Sequence, residues 1–544
     1  MTDPIIQTKT CRHCQKSFDI TQGDLDFYDK ISRGLPGYQE SPHGERKDLS
    51  GVDKLGVRIP TPTLCPECRQ RRRLSFRNER KLYRRKCDAS GKDIISIYSP
   101  DKPFRVYDQK IRRSDERDPM SYGRDFDFTR SFTEQFGELM KEVPRWGLIN
   151  TNSNSNSSYT NFTDSSENIY MCSDVYQCKD VLYAHTIKNI QNSIDLLDVT
   201  NSQESYYCSF SSDLYNCKFV VFSKNCSTSS YLSYCVNLQQ SAYCVGLENQ
   251  SYCILNRPYS RNEYYHILDT MSHDKLFYDY SLLLEQYSKP LRLINCENAQ
   301  GNNLANCKNC KEVYFAQSVT NSRYIYIGYN MDQCMDTTIH NIDCYLDYEA
   351  CSGGKLKYCG FNMLGRGGEY IFYTQECINS SHLFGCIGLR NKSYCIFNKQ
   401  YTKQEYEELV PKIIAHMEST GERGEFFHPS LSPFGYNETV AMEYYPLSPS
   451  GEERGLGGED DFGYHRSTYE PAVPQVDKVI AGQHLPDSID QVTDDILKIA
   501  ILCEVTKKPF RITPQELLFY RKHDIPLPRK HPDVRHEERM KLRK

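Results

Sequence analysis

The sequence predicts a mainly β protein: a two-segment parallel β-solenoid with capping helices and a small cysteine-rich ribbon at each end of the chain. Three observations predict this architecture. Two Cys-x-x-Cys pairs stand near the N-terminus, cysteines recur at a constant interval through the middle of the chain, and the C-terminus repeats the first module in altered form.

Length and composition exclude several classes of protein. The chain has 544 residues, of which 38% are hydrophobic and 25% charged, and it contains no apolar run as long as the ~18 residues of a membrane-spanning helix. Its first residues do not form a secretory signal, so we expect a cytoplasmic protein that does not contact a membrane. In that reducing compartment the 24 cysteines are expected to be metal ligands and buried thiols.

The N-terminal cysteines have the spacing of a zinc ribbon. Cys11 and Cys14 form one knuckle, and Cys65 and Cys68 form the second. Four thiolates complete a tetrahedral shell and leave no open position for catalysis. The sequence therefore predicts one structural Zn²⁺ bound by these four residues.

A second copy of this module ends the chain. CRHCQKSFDITQGDLDFYDK from residue 11 aligns with CEVTKKPFRITPQELLFYRK from residue 503, and LCPECRQRRR from residue 64 aligns with KHPDVRHEER from residue 530. In the second copy only Cys503 is kept, while Thr506, His531 and Val534 occupy the other ligand positions. We expect a metal-free module of the same shape. The longer first copy predicts a Gly/Pro-rich surface insertion within residues 32–60.

The middle of the chain is a repeat. Cysteines stand nine residues apart at positions 208, 217, 226, 235, 244 and 253. Nine is not a multiple of 3.6, so no helical face stays in register, and a short fixed period of this kind is typical of a solenoid. We interpret each nine-residue unit as a half-turn of a coil of about 18 residues. Each cysteine is then a small buried hydrophobe that stacks inside the coil.

A second repeat segment follows the first. Residues 235–268 align with residues 377–410 at a constant offset of 142, although the cysteine spacing before this match is less regular. Each match ends in a predicted helix with a capping box, at Ser260 and Glu263 in the first and at Thr402 and Glu405 in the second.

These patterns divide the chain into eight predicted parts. They are residues 1–86 (zinc ribbon with basic tail), 87–147 (mixed α/β connector), 148–257 (solenoid segment I), 258–294 (helical insertion), 295–400 (solenoid segment II), 401–445 (capping helix and loop), 446–490 (linker) and 491–544 (degenerate ribbon-like module).

Positive charge is concentrated directly after the last zinc ligand. Residues 69–86 have ten Lys or Arg and one Glu, and residues 529–544 have a net charge of +4, which leaves −17 for the rest of the chain. A run of cations can displace counterions from phosphate, and interleaved aromatic rings can stack on bases. The predicted nucleic-acid-binding residues are Arg69, Arg71, Arg72, Arg73, Phe76, Arg77, Arg80, Lys81, Tyr83, Arg84 and Arg85. The same arginines could instead pair with the acidic body of the chain.

Several motifs carry a resemblance to known bacterial proteins. Cys11 to Cys68, with Phe18, Thr21 and a CPxCR second knuckle, is similar to a small bacterial zinc-ribbon family. The later motifs RRRLSFRNER, YSPDKPFRVY and YGRDFDF, together with the Cys/Tyr repeats, resemble zinc-ribbon, Cys/Tyr-repeat proteins of candidate-phylum bacteria. That resemblance spans nearly the whole chain but implies no activity.

Three classes of function fit these features. The first is a non-catalytic zinc protein that binds nucleic acid or the ribosome through its Arg-rich segment. The second is a scaffold or adaptor for protein partners, since solenoids offer long regular surfaces. The third is a polysaccharide-active enzyme, by analogy of fold alone. The acidic residues of the repeats form no recurring pair, so we expect no catalytic residues and no small-molecule substrate.

Overall fold

A computed structural model describes residues 3–38, 58–114, 118–151, 153–446, 462–471 and 478–543. Most of the predicted Gly/Pro-rich insertion, and residues 447–461 and 472–477 of the predicted linker, lie outside the described residues. The protein is mainly β and its strands are repetitive, which confirms the coarse fold prediction.

Ten α-helices lie in the described ranges. In chain order α1 to α10 are Gln22–Ser32, Pro66–Leu74, Gln109–Arg113, Phe132–Glu142, Arg261–Thr270, His273–Gln286, Lys403–Ser419, Val440–Tyr444, Pro514–Lys522 and Pro532–Lys541. Among them, none combines the length and the apolar character needed to cross a bilayer.

Nine of the strands in the described ranges are short and lie towards the two ends of the chain or in the connector. They are Ile5–Thr10, Ser17–Thr21, Tyr83–Lys86, Asp93–Ser96, Val106–Tyr107, Arg145–Trp146, Val479–Ala481, Ala500–Leu502 and Pro509–Phe510.

The two repeat segments supply all the other strands. In repeat segment I the strands are Thr160–Asp164, Glu167–Tyr170, Cys172–Tyr176, Lys179–Leu182, His185–Ile194, Leu197–Gln203, Ser209–Tyr215, Lys218–Val221, Lys224–Ser227, Ser230–Ser233, Val236–Gln239, Ala242–Val245, Glu248–Ser251, Cys253–Ile254 and Arg257–Pro258. In repeat segment II they are Leu293–Ile294, Glu297–Ala305, Lys308–Thr320, Arg323–Asp332, Met335–Ile342, Tyr345–Cys351, Gly354–Met363, Arg366–Gln375, Ser381–Phe384, Ser393–Ile396 and Lys399–Gln400.

The pairing register corrects the predicted length of the repeat. Lys179 pairs in parallel with Gln191, and Leu232 pairs in the same way with Cys244. Both pairs have an offset of twelve positions, and the other parallel pairs of segment I keep this offset. The repeating unit is therefore twelve residues long, and the prediction of paired nine-residue half-turns is wrong.

The backbone conformation of segment I repeats every three residues, which explains why the cysteines nevertheless recur every nine residues. Every third residue has a positive φ, as at Asn225 (54°), Thr228 (48°) and Tyr231 (54°), and the residue after each of them points into the interior. Four such triplets complete one twelve-residue unit. Nine residues are three triplets, so successive cysteines occupy successive sides of the unit.

Side-chain ladders follow the twelve-residue unit. Asn225 Nδ2 donates to Asn237 Oδ1 at 2.7 Å, and Asn237 Nδ2 donates to Asn249 Oδ1 at 2.7 Å. The rings of Tyr231 and Tyr243 stack with centroids 4.7 Å apart. Asparagine tolerates the left-handed backbone, and the stacked rings bury their faces against each other, so both residue types suit these corners.

Cysteines are buried in the interior, as the sequence predicted, and Val, Ile and Leu lie there with them. Cys217, Cys235 and Cys244 have no exposed surface, and their thiols are free. The Sγ of each also donates to the backbone, for example from Cys235 to the carbonyl of Cys244 at 3.4 Å.

The unit length varies in segment II. The pairing offset is eleven positions up to Ala299 and twelve from Gly301. Tyr326 pairs with Thr338, twelve positions on, but Gly328 pairs with Asn341, thirteen positions on. An offset of 141 therefore relates the two segments between Gly301 and this insertion, and the offset of 142 seen in the sequence applies after it.

Helices follow both segments at the predicted capping boxes. The Ser260 hydroxyl caps α5 by accepting from the Glu263 backbone, and the Thr402 hydroxyl caps α7 by accepting from the Glu405 backbone. Helices α5 and α6 pack against the last strands of segment I, where Tyr264 and Leu276 join Ile254 in one apolar cluster.

Candidate metal centre and the basic segment

Backbone hydrogen bonds shape the two N-terminal knuckles. The amide of Gln15, which has a φ of 61°, donates to the carbonyl of Cys11 at 3.0 Å, and this closes the first turn. The second knuckle begins helix α2, with Cys65 as its N-cap and Pro66 in its first turn. The Arg12 amide donates to the Thr63 carbonyl at 3.0 Å and ties the two knuckles together.

The four predicted ligands form one compact cluster. The Sγ atoms of Cys11, Cys14, Cys65 and Cys68 lie within 4.8 Å of one another, and those of Cys14 and Cys65 are 3.7 Å apart. Tetrahedral bonds of about 2.3 Å to one zinc ion would separate the sulfurs by about 3.8 Å. The cluster therefore fits a single metal ion with a closed shell.

Hydrogen bonds join the thiols of this cluster. Bonds from Cys65 and Cys68 lower the pKa of Cys11, while the bond to Cys11 raises the pKa of Cys65. These bonds thus favour the thiolate form of Cys11. Because a metal needs all four as thiolates, its binding must release protons.

Aromatic residues that sequence reasoning missed cover this centre. The ring of Phe462 stacks on His13 with centroids 4.1 Å apart, and Tyr464 lies 5.9 Å from the same histidine. His13 is therefore an outer residue of the centre, and the cysteine cluster does not include it. Both aromatic residues belong to the predicted linker. An aromatic pair within an acidic, Gly-rich stretch is the sequence feature that could have indicated a packed segment there.

The C-terminal module keeps the knuckle without its ligands. The Lys507 amide donates to the Cys503 carbonyl at 3.0 Å with a φ of 59° at Lys507, as at Gln15 in the first module. His531 is the N-cap of α10, the position that Cys65 has in α2. Within the described ranges, the N-terminal cysteines form the one group of three or more residues that could hold a metal ion.

Helix α2 directs its arginines into the protein. Arg69 Nε donates to Asp336 Oδ2 at 2.9 Å, and Arg73 Nη1 donates to Glu349 Oε2 at 2.6 Å. Arg72 bridges Glu349 at 2.9 Å and Glu425 at 2.6 Å. These three arginines are at most 3% exposed. Spacings of three and four residues place them on one face of the helix, against segment II.

The other predicted nucleic-acid-binding residues also have partners within the chain. These contacts are Arg71 to the Tyr436 hydroxyl, Arg77 to Glu79 and Ser352, Arg80 and Lys81 to Asp533, Arg84 to the Tyr159 hydroxyl, and Arg85 to Asp88. The ring of Phe76 packs on Phe426 and Phe427, and the Tyr83 hydroxyl donates to Glu438.

Most of the predicted nucleic-acid-binding residues are buried, and the binding itself stays a prediction. Seven of the eleven residues are buried, including both aromatic ones, and Arg84 is the single exposed member. A buried guanidinium cannot reach phosphate, and a buried ring offers no face to a base. Arg69, Arg72 and Arg73 pair with carboxylates of the same chain, which is the arrangement expected from the alternative that the charge distribution had left open.

The C-terminal module docks on segment I through equivalent residues. Arg539 Nη1 donates to Asp195 Oδ1 at 2.9 Å, and Arg535 pairs with the other oxygen of that carboxylate. The offset between the two segments makes Asp195 the counterpart of Asp336. The module alignment likewise makes Arg535 and Arg539 the counterparts of Arg69 and Arg73.

Aromatic contacts follow the same equivalence. The Arg69 guanidinium lies 5.4 Å from the Tyr324 ring centroid, and that of Arg535 lies 5.1 Å from Tyr183. Tyr183 and Tyr324 are related by the same offset as Asp195 and Asp336. Each ribbon module thus docks on one repeat segment by the same contacts, the N-terminal module on segment II and the C-terminal module on segment I.

No protein-family model matches this chain, and no curated protein matches it either.

Proposed function

We propose that this protein is a non-catalytic scaffold whose two repeat segments are β-solenoids with twelve-residue coils, held by two ribbon modules. The N-terminal module binds one structural Zn²⁺. The long repeat faces bind a macromolecular partner, a protein first. The observation that carries this proposal is the inward direction of Arg69, Arg72 and Arg73 from the helix that begins at the metal centre.

The cysteine ligands and the arginines follow one another along helix α2. Cys65 and Cys68 hold the first turn of α2, and the following turns present the arginines to Asp336 and Glu349. Four cysteine ligands in a tetrahedral arrangement favour zinc over ions that prefer oxygen. The ion's role is to fix the helix that joins the ribbon to segment II.

Scaffolding accounts for the arginine segment better than nucleic-acid binding does. Cationic side chains that bind phosphate displace the counterions condensed on a nucleic acid, and the release of those ions supplies free energy of binding. The side chains must be exposed to reach the phosphates. Here carboxylates of the same chain occupy the guanidinium groups of Arg69, Arg72 and Arg73. The exposed cations of the segment are Arg84 and Lys86, which are two residues apart on one short strand.

One set of variants separates the two functions. We expect replacement of Arg71, Arg72 and Arg73 by Ala to lower the melting temperature, because it removes the guanidinium groups that donate to the Glu349 and Glu425 carboxylates. The control, Arg84→Ala with Lys86→Ala, should leave the melting temperature unchanged.

Binding is measured on the same proteins with labelled single-stranded RNA and duplex DNA at physiological salt. We expect neither the wild type nor either variant to retain them. Retention by the wild type with a steep salt dependence, lost in the Arg84 and Lys86 variant, would favour nucleic-acid binding and overturn the scaffold proposal.

A further inference from the structure

A basic cavity lies where the connector meets the edge of segment II. Its volume is about 570 Å³, within the range of small-molecule sites. Four cationic residues line it: Arg113, Lys355, Arg366 and Arg390. They lie outside the basic segment that follows the metal centre, and no function proposed above uses them.

The repeat register brings three of these cations together. Arg366 pairs with Ile378, which in turn pairs with Arg390, so the two arginines lie two strands apart on the same edge. Strand spacing places their backbones about 10 Å apart. Lys355 follows Gly354, the partner of Arg366 on the neighbouring strand. The span between them suits a ligand with more than one charged group.

The connector supplies the fourth cation and a rigid support. Arg113 ends helix α3, and its guanidinium lies 5.0 Å from the ring centroid of Trp146. The Arg390 guanidinium lies 5.2 Å from the same ring, and it donates to the Arg113 carbonyl at 3.2 Å. Trp146 therefore positions two guanidinium groups that point to one cavity.

The positive charge of this cavity is not balanced within it. Among the described residues, no carboxylate lines it and no salt bridge engages its four cations. Burial and the proximity of Arg390 lower the pKa of Arg113, as expected where like charges converge.

An adjoining cavity is lined by acidic groups. It shares Arg113, Lys355 and Arg366 with the basic cavity, and its acidic lining residues are Asp164, Asp174, Asp343 and Glu376. The hydroxyls of Thr151 and Ser153 donate to the Asp164 carboxylate, and together with the charge of Arg366 they lower the pKa of Asp164. The three shared cations therefore face acids on one side and the open basic cavity on the other.

We propose that this cavity binds a small, multiply charged oxyanion, of the phosphorylated or pyrophosphate-bearing class. Guanidinium groups bind phosphate oxygens through paired hydrogen bonds, and several of them can bind adjacent phosphates. The cavity is too small for a folded partner. The site is therefore separate from the macromolecular surface proposed above, and it goes beyond the scaffold function.

Trp146 provides a direct measurement, because it is the single tryptophan of the chain. Its fluorescence is followed while pyrophosphate is added to the zinc-loaded protein, and sodium chloride of equal ionic strength serves as the salt control. We expect a saturable change with pyrophosphate and none with chloride. Lys355→Glu and Arg366→Glu should each weaken binding at least about tenfold, because each reverses one charge of the site.

The matched control is Lys224→Glu, which reverses an exposed cation on a strand of segment I. It should bind pyrophosphate as the wild type does. The melting temperature of each variant shows whether it is folded. Because Lys355 is an exposed corner residue, its variant decides the result if Arg366→Glu is unstable. Absence of a saturable change, or equal affinity in the wild type and Lys355→Glu, would overturn the proposal.

Discussion

Arg69 and Asp336 form an ion pair that is almost completely buried: Nη2 lies 2.8 Å from Oδ2, and the two side chains are 1% and 0% exposed. The pair joins the helix after the metal centre to segment II. Arg535 and Asp195 form the counterpart in the C-terminal half, with side chains that are 3% and 0% exposed. The same kind of buried ion pair thus contributes to the docking of each ribbon module.

The first prediction concerns this pair. Asp336→Asn leaves Arg69 and Arg73 buried with a neutral partner, and we expect a loss of about 3–5 kcal/mol in the free energy of unfolding. Asp195→Asn should have a similar effect. The control is Asp93→Asn, since Asp93 pairs with Lys86 at the surface and should contribute less than about 1 kcal/mol. Denaturant unfolding measures all three, and equal stability of Asp336→Asn and Asp93→Asn would contradict the docking role.

The second prediction concerns metal content. We expect one equivalent of zinc in the purified protein, lost in Cys68→Ser and kept in Cys503→Ser. Chelation should lower the melting temperature, because the ion fixes the first turn of α2. Metal analysis and thermal melting check both statements. Two equivalents in the wild type, with the second lost in Cys503→Ser, would show that the C-terminal module also binds metal.

The third prediction restores a second metal site. The C-terminal module keeps the knuckle backbone around Cys503, with His531 as the N-cap of α10. Combining Thr506→Cys, His531→Cys and Val534→Cys with native Cys503 should therefore raise the zinc content to two equivalents. Adding Cys503→Ser to this variant should return it to one. A zinc content that stays at one would mean that the module has lost more than its ligands.

The fourth prediction concerns the interior thiols. Burial raises the pKa of Cys235 to about 12, and the thiolate is the reactive form. We expect Cys235 to react with thiol reagents only as fast as the segment unfolds. Cys296 is the matched comparison, because it is partly exposed near the start of segment II. Labelling followed by peptide mass analysis compares them, and equal rates in the folded protein would contradict the interior assignment.

The fifth prediction concerns a buried acid. Asp347 has no exposed surface, and burial raises its pKa to about 8 against a lowering hydrogen bond from the Tyr348 backbone. Its folded-state pKa lies above the unfolded value, so the folded form holds the extra proton. Stability from this group is therefore present below about pH 4 and is lost as pH rises towards 8, by about 1.4 kcal/mol per unit.

Asp347→Asn removes this dependence. Relative to the wild type, the variant should gain stability as the pH rises from 5 to 8, with a gain that levels off above about 8. Unfolding titrations at several pH values measure the difference. A difference that does not change with pH would show that Asp347 ionises at its ordinary pKa.

Local residue chemistry made the metal ligands and the helix caps predictable. The spacing of Cys11, Cys14, Cys65 and Cys68 is typical of a tetrahedral metal site, and the structure brings their four sulfur atoms within 4.8 Å of one another. The Ser260 and Thr402 boxes involve residues three positions apart, so tertiary context has little influence on them. The nine-residue period also placed Cys235 and Cys244 correctly in the interior.

The length of the repeating unit could not be read from the same pattern. A nine-residue interval between interior residues is compatible with one half-turn of an 18-residue coil. It is equally compatible with three of the four triplets in a twelve-residue unit. Hydrogen bonding between strands decides between them, because only the register shows which residues are neighbours. The ladders of Asn225 with Asn237 and of Tyr231 with Tyr243 become visible once that register is known.

The sequence by itself determined the four-cysteine cluster, the repeat and the likeness of the two end modules, since each depends on residues that recur at fixed spacing. The tertiary structure decided which groups the arginines contact. A run of cations after Cys68 has the same composition whether it faces phosphate or carboxylate. Docking on segment II brings two distant carboxylates, those of Asp336 and Glu349, to Arg69, Arg72 and Arg73. The paired carboxylates offset the free-energy cost of burying these guanidinium groups. A local sequence pattern does not predict a contact between residues so far apart in the chain.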